Sequence, residues 1–235
     1  MSQRTADRSL IFLTLIFILF VVFANEDASP RMAAFGDALP ETTRAKAVYK
    51  VLYDFGIGGV VSLCFYILLV RLPEFAKRRR VRRSLERRYE CFKEACLYTI
   101  LGVVNGFVDT ALADALLNRA EFRNYFNQAS VIPEQHRWDY FLNNLNQDAL
   151  NDILKEVDLL REEVNFVTSV IDINTDETFH FMKRFSAVTY DVQRTVLGYD
   201  SIKPLSIFLW SIYSGFDPAI GYEKPDFVST MIRSI

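Results

Sequence analysis

Apolar positions along this chain fall into regimes of different period. In the first, charge simply disappears: no charged side chain occurs from Ser9 to Ala24, and none from Phe55 to Val70. Each run holds 16 residues, about 24 Å of helix at ~1.5 Å per residue, against a hydrocarbon layer of ~30 Å. Both are read as slightly short membrane spans, about 9–24 and 55–72. The stems of Arg8 and Arg71, with Tyr49, Tyr53 and Leu72, extend their apolar length. A buried core helix is the competing reading of one such run. It fits two poorly, because Leu10–Phe23 is apolar on every face apart from Thr14. A cleaved signal peptide is the alternative for the first run: Arg4 and Arg8 precede an apolar stretch that ends in Val22-Phe23-Ala24.

The second run carries Gly56, Gly58, Gly59 and Ser62. Gly58 and Ser62 form a small-xxx-small pair, and Gly58, Gly59 and Ser62 are the candidate packing residues against the first span or a second copy. A helix from about Thr43, with Ala45, Val48, Tyr49 and Leu52 on one face, lies at the outer interface or runs straight into this span. Pro73 marks an end or kink.

Further along, the period becomes helical. Ala95–Val108 is a third uncharged run, too short to span and interrupted by Gly102, Asn105 and Gly106. It reads as a buried helix, or as two helices meeting near the glycines. Pro133 and Glu134 suit a first helical turn. Leu150, Ile153, Val157, Leu160, Val164, Val167 and Ile171 alternate +3 and +4 without a break. This is the inward stripe of an antiparallel bundle, or the seam of a short coiled coil between copies. Asn174, with Glu177 three residues on, predicts a capped helix reaching about Leu197. Pro204 opens another through Tyr213, and a short one covers Phe227–Ile232.

Charge gives these elements a direction. Residues 71–94 carry ten basic groups against four acidic ones, whereas 25–54 carry four basic and five acidic. Positive charge is retained on the cytoplasmic side. Both termini are therefore expected in the cytoplasm, with 25–54 as an external loop. From residue 95 onward 11 basic and 19 acidic residues give −8, which the whole-chain value of −2 hides. Three cysteines, Cys64, Cys91 and Cys96, build no disulfide framework and suit a reducing cytosol.

The expected fold class is all-α: a two-helix transmembrane hairpin (residues 1–72), a basic juxtamembrane collar (73–94) and a cytosolic helical bundle (95–235). In the collar, Lys77, Arg78, Arg79, Arg80, Arg82 and Arg83 are the candidate lipid- or phosphate-contacting residues. Their partner is the anionic bilayer surface or, alternatively, the phosphates of a nucleic acid brought to the membrane.

Catalytic signatures are sparse. Glu177 and His180 stand three apart on one helix, but a di-iron bundle needs that pair twice. His136 and Asp139 have the spacing of a base and its orienter, with no nucleophile set beside them by sequence. Cys91 and Cys96 are poorly spaced for zinc, and no phosphate-binding glycine loop occurs. No catalytic residue, cofactor or metal ligand is assigned.

Taken with the overall length, the spans at 9–24 and 55–70 and the basic block at 77–83 resemble the two-span membrane effectors of bacterial anti-phage defence systems, including those carried by retrons. The resemblance is one of architecture. It implies an inner-membrane effector held silent by a partner complex, such as a reverse transcriptase with its nucleic acid, and damaging the membrane on release. The expected function is thus a non-enzymatic, partner-controlled membrane protein with a protein or ribonucleoprotein partner and a tendency to self-associate. A passive anchor for a cytosolic complex is the alternative, and a membrane-tethered enzyme a further one.

Overall fold

The computed structural model describes residues 3–23, 43–173, 175–198, 200–217, 221–222 and 226–235. Residues 24–42, most of the external loop expected after the first span, and the cap expected at Asn174 lie outside the described residues, whereas residues 43–54 of that loop are helical. What is described is almost entirely helical, and it divides into two compact units, Met1–Lys77 and Arg78–Ile235.

The first unit holds α1 (Gln3–Phe23) and α2 (Thr43–Tyr66). The pair is antiparallel: Phe20 and Val21 of α1 meet Gly56 of α2, and Phe17 meets Gly59. Thr14, the polar interruption of the first apolar run, donates its hydroxyl to the Leu10 carbonyl at 2.7 Å. That bond satisfies the group within its own helix. Beyond Tyr66 the helix widens into one π-helical stretch, Ile67–Arg71, where the Leu72 amide reaches back five residues to Ile67. The helix resumes as α3 (Leu72–Asn105). Pro73 therefore does not end it. Proline lacks an amide hydrogen and its ring crowds the carbonyl four residues earlier; a widened turn just upstream accommodates both defects.

The second unit is built on α3 from Arg78 onward. Val81, Leu85, Tyr89, Phe92, Cys96, Ile100 and Val104 repeat every three or four residues and are buried. Residues 78–94 of the collar form a wall of the helical unit, their apolar positions interleaved with the arginines. Asn105 ends α3, and Gly106 takes a left-handed φ of 74° that other residues resist. Short helices follow, α4 (Thr110–Leu116) and α5 (Arg119–Phe126), capped by the side chains of Asp109 and Asn118. Next comes α6 (Arg137–Asn144). It starts after Pro133 and Glu134, which lie in a loop closed by an Ala129–His136 bridge rather than in a first helical turn.

α7 (Gln147–Val170) carries the seven-residue seam, and every member from Leu150 to Ile171 is buried inside this unit. The seam is spent within the bundle. α8 (Asp176–Gln193) packs against α7, with Ser186 donating to the Asn165 side chain at 2.7 Å. It stops four residues short of Leu197. Its first turn is tied by a hydroxyl chain, Thr175 to Thr178 at 2.7 Å and Thr178 to Ser234 at 2.8 Å. α9 (Lys203–Ser214) starts on Pro204 and ends on left-handed Gly215. A two-residue antiparallel pair, β1 (Phe216–Asp217) and β2 (Gly221–Tyr222), precedes α10 (Phe227–Arg233). The centre of the unit is aromatic: Phe122 stacks on Tyr213 at 5.0 Å and lies 4.4 Å from Phe126, 5.7 Å from Trp210 and 5.9 Å from Trp138.

Candidate functional site

Among the described residues, two surfaces and one polar cluster stand out. The first surface belongs to the α1–α2 pair. The Phe17 ring sits where a Cβ on Gly59 would lie, and a Cβ on Gly56 would stand 3.0 Å from both Phe20 and Val21. These two glycines, three apart, let the backbones approach closely, and Phe55 adds a tilted ring contact to Phe17 at 5.7 Å. Of the sequence candidates, Gly59 is brought into this seam. Gly58 and Ser62 are not: Gly58 faces open space and Ser62 is exposed. Gly56 replaces them, because the face that meets α1 also runs through Leu63, one turn beyond Gly59.

Other large side chains of this unit stand exposed. Phe12 is 65 % exposed, Phe55 61 % and Leu69 71 %. Among the described residues one helix, Lys50–Asn105, contains a stretch long and apolar enough to cross a membrane, with mean hydropathy 2.1; Ser9–Val22 is a shorter apolar helix. Arg71, at the end of the π-helical turn, is buried, and its guanidinium lies 5.7 Å from the Phe75 ring. Such turns collect at positions under functional constraint.

The second surface is the basic face of α3. Lys77 closes the first unit and is exposed. In the second unit Arg79, Arg80 and Arg83 are exposed, while Arg78 and Arg82 are half-buried beside Val81. Arg79, Arg83 and Arg87 are spaced four apart, so three guanidiniums stack along one stripe of the helix. Like charges at that spacing repel, and an anionic surface relieves the repulsion. The stripe ends in exposed Glu90 and Glu94. Arg88 faces inward instead and pairs with Glu156 of α7.

The polar cluster escaped the sequence reading. Asp226, the N-cap of α10, accepts from the Ser229 amide, from the Tyr89 hydroxyl at 3.2 Å and from Lys93 at 3.2 Å, and it pairs with Arg119 at 3.3 Å. One carboxylate thereby ties α3, the start of α5 and α10 together. Burial, reinforced by the neighbouring carboxylate, pushes the Tyr89 hydroxyl well above the ordinary tyrosine range, while Arg119 pulls the other way. Burial likewise raises the Tyr213 hydroxyl and the Cys96 thiol far up, so that Cys96 is no nucleophile. The available sequence signal was local: an aspartate just before an apolar run marks a cap. Its partners lie too far away in sequence to be inferred.

The remaining candidates stay apart. His136 is exposed at the start of α6 and makes no capping bond; Asp139 is exposed one turn on. Glu177 and His180 are exposed on α8, His180 with its ring 5.9 Å from Phe179. Among the described residues no three histidine, cysteine or acidic side chains gather as a metal would need. No protein family, no curated protein and no solved structure matches this chain.

Proposed function

We propose that this chain is a non-enzymatic, partner-controlled membrane effector of the anti-phage, retron-associated kind. In this reading α1 and α2 are a two-span hairpin in a bacterial inner membrane, residues 25–54 are external and both termini are cytoplasmic. The basic run Lys77–Arg83 grips anionic headgroups, worth about 1 kcal/mol per basic residue near the surface. The helical unit receives a protein or ribonucleoprotein that keeps the effector silent.

One observation supports it above the others: the α1–α2 pair meets at Gly56 and Gly59, against Phe17, Phe20 and Val21, while Phe12, Leu15, Leu19, Phe55 and Phe65 stay exposed. In water that arrangement wastes apolar area at roughly 25 cal/mol per Å²; in hydrocarbon it costs nothing, and close backbone approach is what holds helices together there. The open Gly58–Ser62 edge leaves α2 a face for a second copy. The separate core of the helical unit also suits the passive-anchor alternative, so the test addresses both. Induced expression in bacteria with a membrane-potential dye should give depolarisation, and purified protein should release dye from phosphatidylglycerol-containing vesicles. Exchanging α1 and α2 for an unrelated hairpin should abolish both effects. Full tolerance with no dye release would overturn the effector reading, and retained partner binding after the exchange would leave the anchor.

A further inference from the structure

One end of the helical unit carries apolar side chains that its own core does not use. Where α3 ends, the uncharged run continues past Gly106 into Phe107 and Val108, 67 % and 44 % exposed. Beside it stands the 129–136 loop, with Val131 86 % and Ile132 50 % exposed. The end of α3 and this loop are neighbours, and Tyr125, which precedes the loop, donates its hydroxyl to the Asn105 side chain at 3.0 Å. A cleft of about 240 Å³ between them is lined by Val104, Asn105, Ala129, Ser130, Val131 and Arg137.

The 129–136 loop is built to hold its tip outward. The Ser130 amide donates to the Gln135 carbonyl at 2.7 Å, the Gln135 amide to the Ile132 carbonyl at 3.0 Å, and the Ile132 amide to the Ser130 hydroxyl at 3.1 Å. A tip tied this way loses little freedom when it is covered, which is what makes an exposed apolar residue an effective anchor.

Charge decides what covers it. Residues 106–118 and 127–136 contain Asp109, Asp114 and Glu134, all exposed, and no lysine or arginine. Arg137, which lines the cleft, is engaged: it donates to the Tyr125 carbonyl at 3.2 Å and the Gln128 side chain at 2.9 Å, and stacks on the Tyr125 ring at 4.1 Å. An anionic leaflet would be repelled here. This end of the unit is also the opposite end of α3 from the arginine stripe, about 40 Å along the helix from Arg78 at ~1.5 Å per residue.

We infer that the Phe107–Val108 and Val131–Ile132 tips form a docking surface for a cationic amphipathic protein segment, whose apolar side chains cover the tips while its lysines or arginines meet Asp109, Asp114 and Glu134. This deepens the partner-controlled part of the proposed function and rests on it for its biological sense, not for its geometry.

The test uses the full chain in phosphatidylcholine nanodiscs and two synthetic amphipathic helices with the same leucine face, one bearing lysines and one glutamates. The lysine peptide should bind at least about tenfold tighter than the glutamate peptide, and added salt should narrow the gap. The double change Val131→Ser with Ile132→Ser, and separately Phe107→Ser, should each weaken it about tenfold or more. Asp109→Asn with Glu134→Gln should weaken it while the α4 cap is kept, since asparagine caps as well as aspartate. Equal affinity for both peptides, or binding indifferent to the tip changes, would overturn the inference. A polarity-sensitive label at Val131→Cys, in a Cys64→Ser, Cys91→Ser background, should shift to the blue on adding the lysine peptide. A blue shift in anionic nanodiscs without peptide would mean the tips sit in lipid and would equally overturn it. Loss of peptide binding with vesicle dye release intact removes this surface alone. Loss of dye release with peptide binding intact removes the membrane reading and leaves the surface standing.

Discussion

The two units use the same secondary structure to opposite ends. In the first, Gly56 and Gly59 let α1 and α2 approach closely and many bulky residues, Phe12, Phe55 and Phe65 among them, stay exposed; in the second, Phe92, Phe122, Phe126 and Phe141 have no exposed surface at all. In the proposed reading, the contrast follows from the solvent around each unit. Water drives large apolar groups together, so a core fills with rings. A lipid tail is as apolar as leucine and supplies no such drive, so contact is made where backbones come closest. On that reading, a glycine contact ringed by exposed Phe12, Phe55 and Phe65 adds an argument from packing to the one from hydropathy.

The comparison can be broken from its strongest point downward. Phe122→Ala should destabilise the second unit by about 3–5 kcal/mol, since the ring meets Phe126, Tyr213, Trp210 and Trp138 at once. Calorimetry of the full chain should show one transition displaced and hairpin helicity unchanged. Gly59→Leu should cost the α1–α2 pair about 1–3 kcal/mol by overpacking against Phe17. Energy transfer between labels on the two helices reads this, and Gly58→Leu, with nothing in its way, should leave the signal alone. Equal effects of the two glycine changes would remove the seam. Asp226→Asn should cost about 1–2 kcal/mol, because Lys93 and Arg119 lose their charged acceptor, with amide exchange quickening first in α10.

Smallest is an alkaline effect on the second unit. Tyr89 and Tyr213 are held protonated, their folded values raised above the unfolded one. Their contribution is complete below about pH 10, the unfolded tyrosine value, and is lost as pH rises through the folded value. Denaturant midpoints should be level up to that point and fall beyond it. Tyr89→Phe should flatten the fall, and an unchanged alkaline slope in that variant would release Tyr89 from this role.

Which of these features the sequence discloses depends on range. The α7 seam is local and repeats, so seven positions voted for one face and all are buried. Pro204 and Gly215 punctuate α9 because their backbone preferences need no partner. Choosing among Gly56, Gly58, Gly59 and Ser62 needed the rotation of α2 about its own axis, and small residues scattered around most of a helix do not supply it. Pro133 shows the limit of a propensity argument: it suits a helix start, but bridging Ala129 to His136 closed a loop there instead. The Asp226 cluster joins residues more than a hundred positions apart, and the basic collar hid its Val81–Phe92 core stripe behind a louder pattern of charge.

The wide turn at Ile67–Arg71 has a bearing on lineage. Such a turn is what one surplus residue leaves behind in a regular helix, and each residue advances a helix by about 100°. The widened turn spends that surplus locally, because a wider turn rotates less per residue. Taking out Leu69 would restore a plain ladder while Arg71, Phe75 and Lys77 kept nearly their present bearing, so in any set of sequence cousins a one-residue gap falling here would leave the faces on either side in step.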